Sequence, residues 1–321
     1  MKMGRMGKML GRRWRKAAAF VLAAALGTAF GGTAAEAGEP VFCPQAVAAG
    51  ADGSLLVTDC YSKVVWELGD GGRSVYAGKP GPAGIYGEPV GGYGDGTRGE
   101  MRMDSPWDIV PYLDGYAVSD RGNHAVRYIG AQGSRTLAGK GVKGYADNIG
   151  GKALFSDPTG LAADDAGNLY IADTGNDVVR RLRPDGMVDT YLRGLSGPVG
   201  LCWREGALYV ADTGNHRVLK VENGGISWAA GGTQGQADGS LDQACFSSPT
   251  YVTVSGAGVV YVSDTGNGAV RRIENGNVST ISLDETQYPG MELISPSGLL
   301  ATEAGLYVCD HFSRRLFILS L

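Results

Sequence analysis

The sequence predicts an all-β protein built as a six-bladed β-propeller, with four antiparallel strands in each blade. Three observations lead to this prediction. A short motif recurs six times, each copy at a nearly constant distance after a proline. Each copy lies between short apolar runs that are separated by turn residues, which is the pattern of antiparallel strands. Glycine is abundant, with 53 residues among 321, as a protein with many tight turns requires.

The repeat is defined by an aspartate that ends a short apolar run and by a proline 14 or 15 residues before it. The six aspartates are Asp59, Asp120, Asp173, Asp212, Asp264 and Asp310. The six prolines are Pro44, Pro106, Pro158, Pro198, Pro249 and Pro296. A unit of four short strands has two apolar faces, and a ring of such units buries each face against a neighbour. We therefore expect one domain rather than two.

The third repeat shows the expected course of the chain within a blade. Two strands flank a tight turn at residues 165–168, and a second turn follows at Asp-Thr-Gly-Asn, where Gly175 and Asn176 can accept positive φ. A third strand over Val178–Leu182 and a turn over Arg183–Gly186 lead into the fourth strand.

The sixth blade is short of one strand. Only 11 residues follow Asp310, enough for a third strand over Arg315–Leu319 but not for a fourth. We expect Glu39–Phe42 to supply the missing outer strand, because this would tie the two ends of the domain together and cover an open edge.

The segment Asp212–Val218, with the sequence DTGNHRV, resembles the NHL repeat of a family of six-bladed propellers. The resemblance runs from about Glu39 to Leu321 and is closest in blades three to five. It implies the propeller fold. It constrains function only loosely, since the family includes binding platforms, extracellular sensor domains and some lyases.

Three long connections between blades also repeat. Each holds an aspartate 11 residues before the next proline and an apolar residue eight positions after that aspartate. The aspartates are Asp95, Asp147 and Asp238, and the apolar residues are Met103, Phe155 and Phe246. We expect these connections on the face that carries the Asp-Thr-Gly-Asn turns, called the top face. The aromatic and polar residues predicted to bind a ligand there are Tyr86, Tyr93, Arg98, Trp107 and Tyr145.

The titratable residues of the repeats favour a structural role. A group that recurs in every blade is expected to serve the turn, with each repeat aspartate accepting backbone N–H bonds. Three histidines in alternate blades, His124, His216 and His311, invite comparison with a zinc site. The resemblance to peptide-amidating lyases would place zinc-binding histidines directly after the six prolines. Those positions hold Gln45, Trp107, Thr159, Val199, Thr250 and Ser297, so no metal and no cofactor are predicted.

Residues 1–37 are predicted to be a secretory signal peptide, and residues 38–321 to be the propeller. Seven basic residues precede an apolar run over 17–30, and an Ala-x-Ala site ends at Ala37. After export and cleavage there, the protein would keep 22 basic and 32 acidic residues. So acidic a protein is not expected to bind nucleic acid or anionic lipid. We expect a secreted or extracytoplasmic monomer.

An exported protein can hold disulfides. Pairing Ala49 with Ser54 in the first hairpin places Val47 opposite Leu56 and Cys43 opposite Cys60, which predicts a Cys43–Cys60 bond. The other three cysteines, Cys202, Cys245 and Cys309, are expected to serve as small buried apolar residues, with a Cys202–Cys245 bond across blades four and five as the alternative.

The function predicted from the sequence is a non-catalytic binding platform for a protein, peptide or glycan at the top face. The alternative is a metal-assisted lyase or lactonase built on the same scaffold. A third interpretation is a purely structural partner of the cell envelope. The sequence has no G-x-S-x-G, H-E-x-x-H or P-loop motif that would favour a particular enzyme.

Overall fold

The computed structural model describes residues 30–31, 41–85 and 87–321. They form six antiparallel sheets, and in each sheet the main strands follow one another in chain order from the inside outwards. The innermost strand of each blade contacts that of the next blade, and the sixth contacts the first, so the ring is closed. The six-bladed propeller predicted from the repeats is confirmed.

The first three blades each have four main strands, in order from the innermost outwards. Blade one holds Pro44–Ala49, Leu55–Asp59, Val64–Gly69 and Gly72–Ala77. Blade two holds Pro106–Tyr112, Gly115–Asp120, Ala125–Gly130 and Gly133–Gly139. Blade three holds Pro158–Ala163, Leu169–Asp173, Val178–Leu182, Met187–Leu192 and the two-residue Asn148–Ile149.

Blade four holds Pro198–Arg204, Ala207–Asp212, Arg217–Glu222 and Gly225–Gly231. Blade five holds Tyr251–Val254, Val260–Asp264, Ala269–Glu274, Asn277–Ile281 and the two-residue Gly239–Ser240. Blade six holds Pro296–Thr302, Gly305–Asp310, Arg315–Leu319 and Phe30–Gly31. Short 3-10 helices cover Arg121–Asn123, Gly150–Lys152, Thr174–Asn176, Thr213–Asn215 and Thr265–Asn267. Within the described residues, no helix has the length and apolar character needed to span a membrane.

The turn after the repeat aspartate differs from the prediction in its backbone. In blade three the positive φ falls on Asp177, at 58°, and not on Gly175 or Asn176. Glycine is needed at position 175 for space, because a Cβ there would lie 2.1 Å from the Oγ of Ser156. The conspicuous glycine of the motif therefore reflects close packing against the preceding connection.

The outer strand of blade six comes from a different part of the chain than predicted. Phe30 pairs with Leu316 and Gly31 with Arg315. Residues 39–40 lie outside the described part, and residues 41–42 belong to no strand. Phe42 is instead buried in a cluster shared by blades one and six, which includes Trp66 and Leu316.

The predicted Cys43–Cys60 disulfide is not present in the structure, where both residues are free thiols. The first hairpin turn is one residue longer than predicted, so Val47 pairs with Val57 rather than Leu56. A bulge at Gln45 restores the pairing of Pro44 with Asp59, but the ladder ends there. The amide of Cys43 donates to the carboxylate of Asp59 at 2.9 Å, and Cys60 begins the next turn. The prediction was wrong because it extended a regular ladder past its last pair.

The apolar residues of the long connections fill the junctions between blades. Met103 is 1% exposed, and Phe155 and Phe246 are fully buried. Each packs in a cluster formed by two adjacent blades. The connections are thus anchored from below by one large apolar side chain each, as their spacing predicts.

Candidate functional site

The prolines and aspartates of the repeats lie on one face of the ring, together with the long connections. In five blades the proline that begins the inner strand pairs with the aspartate that ends the second strand, as Pro44 does with Asp59. The fourth strand runs towards the same face, so the connections leave and re-enter there. This is the top face predicted from the sequence.

The six repeat aspartates are fully buried. Each accepts a backbone N–H, at 2.6–2.9 Å, from the connection that precedes its own blade. The donors are the amides of Cys43, Asp104, Ser156, Ser196, Ser247 and Ile294. The aspartates therefore tie each incoming connection to the repeat turn, and the nearly constant proline–aspartate spacing follows from this bond.

Three blades add a buried arginine seven residues after the aspartate: Arg127, Arg180 and Arg271. Each guanidinium contacts the repeat aspartate at 2.7–2.8 Å and the aspartate of the long connection at 2.6 Å. The connection aspartates Asp95, Asp147 and Asp238 are thereby used to neutralise an internal cation. They are elements of the framework and not free acidic ligands.

Most of the described ligand-binding candidates belong to this framework. The ring of Tyr93 covers the guanidinium of Arg127 at 4.9 Å, and that of Tyr145 covers Arg180 at 4.8 Å. Arg98 stacks on Tyr76 at 4.6 Å and donates from Nε to the carbonyl of Gly130. These three candidates lie at separate places on the blades and do not converge on one point.

The other two candidates have different outcomes. Tyr86 lies outside the described residues. Trp107 follows the proline of blade two on an inner strand, so it lies at the top opening of the central channel, which we call the mouth. Trp107 lies on an inner strand, whereas Tyr93 and Tyr145 cover arginines of third strands, so the four described candidates do not form one site.

Two of the three histidines are committed to blade junctions. The Nδ1 of His124 accepts the amide of Asp157 at 3.1 Å, and that of His216 accepts the amide of Ser248 at 3.0 Å. Within the described residues, no group of three or more His, Cys, Asp or Glu side chains is arranged to hold a metal ion.

The residue directly after each repeat aspartate lines the mouth. In blades three, four and five it is a threonine whose hydroxyl donates, at 2.7 Å, to the carbonyl of the proline that begins the next blade. These are Thr174, Thr213 and Thr265. In half of the ring, the mouth is therefore closed by recurring bonds between adjacent blades.

Blades six, one and two depart from this pattern and are adjacent in the ring. They hold His311, Cys60 and Arg121 at the position of the threonine. The imidazole of His311 interacts with the carbonyl of Pro44, but its Nδ1 is buried and has no hydrogen-bond partner among the described residues. Arg121 stacks on Trp107 at 4.7 Å, and its Nε and the Nε1 of Trp107 are likewise buried without partners in the described chain.

The next position along the chain departs from the repeat in two of these three blades. It is glycine in blades two to five, where a Cβ would lie within 2.7 Å of the preceding connection. In blades one and six it is Tyr61 and Phe312, which are 37% and 74% exposed. We call Cys60, Tyr61, Trp107, Arg121, His311 and Phe312 the mouth cluster.

Charge at the mouth cluster is carried by Arg121. Burial raises the pKa of the Cys60 thiol to about 11, so it stays protonated at neutral pH. Burial lowers the pKa of His311, which keeps the imidazole neutral under the same conditions. The thiol donates to the Oε1 of Gln45 at 3.9 Å. The cluster therefore offers one cation, neutral donors and aromatic surface.

Below the mouth, the channel is blocked by a bond across the ring. Asp108 of blade two and Tyr251 of blade five take positions that are glycine in blades three, four and six. The Tyr251 hydroxyl donates to the Asp108 carboxylate, which also accepts the amide of Leu161 at 2.8 Å. Burial raises the pKa of Asp108 to about 6. The bond between Asp108 and Tyr251 therefore forms a floor below the mouth.

Sequence reasoning found Trp107 but missed the rest of the mouth cluster. The signal is present in the six repeats, as departures from Thr-Gly after the aspartate in three neighbouring blades. Two of these blades stand at the ends of the domain, where weak repeats are expected in any case, so the sequence alone does not set the departures apart.

The NHL repeat model matches residues 155–177 and 195–221, in blades three and four. A curated relative, the chloroplastic protein SUPPRESSOR OF QUENCHING 1 of Arabidopsis thaliana, is 34% identical over 92 residues. This match covers 28% of the chain and 9% of the relative.

Solved structures with the same architecture have low sequence identity. An auxiliary nutrient binding protein from Bacteroides ovatus has a TM-score of 0.62 at 13% identity, covering 90% of this chain and 75% of that one. Virginiamycin B lyase from Staphylococcus aureus has a TM-score of 0.57 at 14% identity, covering 87% and 95%. A gluconolactonase from Xanthomonas campestris has a TM-score of 0.55 at 16% identity, covering 86% of each chain.

At such identities these structures support the fold alone. The match to the repeat model agrees with the residues that carry the repeat in the sequence. The protein is therefore a six-bladed β-propeller that contains NHL repeats.

Proposed function

We propose that the protein is an exported, non-catalytic binding platform that holds a protein, peptide or glycan at its top face, with the mouth cluster as the main contact. The observation that carries the proposal is the break in the repeat at three adjacent blades. There, threonines that close the ring are replaced by His311, Cys60 and Arg121, and glycines by the exposed rings of Tyr61 and Phe312. Exposed aromatic side chains beside unpaired donors are typical of binding surfaces.

Binding can be tested with arrays of peptides and glycans probed with the labelled protein. Replacing Tyr61 and Phe312 together by alanine should reduce binding at least about tenfold, the effect of losing aromatic contacts at the centre of an interface. Ile226→Ala is the matched control, because Ile226 is 50% exposed on the outer strand of blade four, away from the mouth. Equal binding by the wild type and the double variant would contradict the proposal.

Export rests on the order of basic, apolar and small residues in the first 37 positions. If it occurs as proposed, protein recovered from outside the cytoplasm begins at Gly38. Protein that keeps Met1 and remains in the cytoplasm would contradict export.

The enzymatic alternative is a metal-assisted lyase or lactonase. Two of the similar structures are named as a lyase and as a gluconolactonase. The same mouth would hold the substrate, with Arg121 as the available cation. Incubating the protein with gluconolactone and with a streptogramin B, with and without Mg²⁺, Ca²⁺ and Zn²⁺, tests this alternative. Turnover that is lost in Arg121→Gln would replace the binding proposal with an enzymatic one.

A further inference from the structure

Unpaired polar atoms at the mouth cluster indicate what kind of ligand would complete it. Within the described residues, the only ring nitrogens that are buried without a hydrogen-bond partner are the Nε1 of Trp107 and the Nδ1 of His311. Leaving such a group unpaired destabilises the folded protein, so each buried unsatisfied group in a native protein calls for an explanation. Both lie in the half of the mouth where the repeat is broken.

The blade-two side of the cluster presents donors only. The indole Nε1–H of Trp107 and the guanidinium of Arg121 have no acceptor capacity. Arg121 forms no salt bridge within the described chain, and Asp157, an acid close enough for its pKa to be lowered by Arg121, is paired with Lys143 at 2.9 Å. A planar carboxylate matches a guanidinium with two parallel hydrogen bonds. An acceptor group with negative charge therefore fits this side.

The blade-six side presents an unpaired ring nitrogen and apolar surface. The Nδ1 of His311 is buried without a hydrogen-bond partner among the described residues. A hydrogen-bonding group of the ligand can satisfy it, because each nitrogen of a neutral imidazole either donates or accepts one hydrogen bond. Phe312 is 74% exposed next to His311, and Tyr61 lies on the blade between the two sides.

We infer that the mouth cluster binds the free carboxyl terminus of a peptide. The terminal carboxylate contacts Arg121 and the Nε1 of Trp107, the peptide backbone hydrogen-bonds to the Nδ1 of His311, and apolar side chains of the peptide pack on Tyr61 and Phe312. This inference rests on the proposed function and narrows its ligand class. A peptide is favoured over an acidic glycan because its apolar side chains can cover the exposed rings of Tyr61 and Phe312.

The experiment compares two pools of random N-acetylated tetrapeptides. One pool has a free carboxyl terminus, and the other has a carboxamide in its place. Equilibrium dialysis against the purified protein, read by mass spectrometry, measures retention of each pool. An oligomer of glucuronic acid is the third probe. We expect acids to be retained at least about tenfold more than amides, since a charge-assisted bidentate pair is lost in the amide.

Variants assign the preference to the cluster. Arg121→Gln should abolish it, and Trp107→Phe, which keeps the ring but removes the N–H, should reduce it several-fold. Arg121→Lys keeps the charge but lacks the fork, so it should weaken the preference without eliminating it. Arg135→Gln is the matched control, because Arg135 stacks on Tyr128 at 4.9 Å on the outer strand of the same blade. Unchanged melting temperatures verify that the variants are folded.

The outcomes separate this inference from the proposed function. Equal retention of acids and amides, or loss of the preference in Arg135→Gln, would overturn the carboxyl-terminus assignment while leaving a binding platform in place. Retention of the acidic oligosaccharide in place of both peptide pools would overturn the peptide class. Failure of all three probes, together with negative arrays, would overturn the proposed function as well.

Discussion

The arginines Arg127, Arg180 and Arg271 carry positive charge in the interior of the protein, where an unpaired charge would be prohibitive. Each is neutralised by one buried aspartate and one more exposed aspartate from a long connection. A connection that would otherwise be a surface loop is thereby bound to the blade by a charged contact. This explains why the connection aspartates repeat with the same spacing as the prolines.

Breaking one of these charged contacts should destabilise the protein strongly. Arg180→Gln leaves the buried Asp173 without its cation, and we expect a loss of about 3 kcal/mol in the free energy of unfolding, as for other buried pairs that lose one partner. The control is Arg217→Gln. Arg217 also pairs with a repeat aspartate, at 2.7 Å, but its side chain is 27% exposed. There we expect a loss of about 1 kcal/mol.

Urea denaturation followed by circular dichroism measures both losses. If the two variants lose the same free energy of unfolding, burial of the arginine does not determine how much its contact with the aspartate stabilises the protein.

At the residue scale, the sequence predicted recurring features better than unique ones. The six aspartates could be assigned a structural role because every blade needs the same bond, so the residue that makes this bond occurs six times in the sequence. The mouth cluster could not be assembled, because His311 and Arg121 are 190 positions apart in the sequence and come to the same half of the mouth only after the ring has closed. Tyr93 and Tyr145 were predicted to bind a ligand because they are aromatic residues in long connections. The sequence does not reveal that their rings cover a buried guanidinium.

The outer edge of blade six is completed by a very short strand. A strand of two residues, Phe30–Gly31, pairs with Leu316 and Arg315. It lies within the segment that cleavage near Ala37 would remove. The exported form that we propose would therefore have a three-stranded sixth blade, with its N-terminal attachment made by Phe42 instead of by a strand.

Hydrogen exchange can compare a chain that begins at Leu26 with one that begins at Gly38. The peptide covering residues 315–319 should take up about one more deuteron in the shorter chain. The melting temperatures should be close, because each hydrogen bond lost contributes only about 1 kcal/mol. Identical uptake in the two chains would show that the short strand does not protect the edge.

Phe42 should account for most of the stability that the N-terminal segment provides. It is 7% exposed, and the guanidinium of Arg73 lies 5.1 Å from its ring. Phe42→Ala should therefore cost about 3 kcal/mol, the usual effect of truncating a buried phenylalanine. A loss below about 1 kcal/mol in thermal or urea unfolding would mean that the segment is held by other contacts.

Inner strands of adjacent blades approach so closely that a methyl group does not fit between some of them. A Cβ on Gly200 would lie 2.6 Å from the carbonyl oxygen of Thr250 and from the Cα of Tyr251. Gly200→Ala should therefore cost about 2 kcal/mol through overpacking. Gly71→Ala, where no atom lies within 4 Å, should change stability by less than about 0.5 kcal/mol. Equal effects of the two substitutions in urea unfolding would contradict this packing argument.

At the scale of the whole molecule, the ring is closed in two ways. Adjacent blades are joined by hydroxyl-to-carbonyl bonds around half of the mouth, which recur from one junction to the next. Opposite blades are joined once among the described residues, through Asp108 and Tyr251. This bond forms the floor of the mouth and fixes the distance between blades two and five.

The stability conferred by this cross-ring bond should depend on pH. Burial raises the pKa of Asp108 to about 6, and the Tyr251 hydroxyl opposes that rise by stabilising the ionised form. Because the folded pKa lies above the ordinary value of an aspartate, the contribution of Asp108 to stability is fully present at acidic pH and is lost as the pH rises through about 6. Tyr251→Phe removes the donor that the ionised carboxylate needs most.

We therefore expect Tyr251→Phe to lower the free energy of unfolding by about 2 kcal/mol at pH 7.5, as for hydrogen bonds to charged groups, and by about 1 kcal/mol at pH 4.5. The control is Tyr307→Phe. Tyr307 is 5% exposed, and no hydrogen bond to its hydroxyl is found in the described part of the chain, so its removal should have the same small effect at both pH values. Urea unfolding at the two pH values gives all four numbers. A loss for Tyr251→Phe that does not grow with pH would mean that Asp108 stays protonated up to neutral pH. The floor of the mouth would then be held by a neutral hydrogen bond.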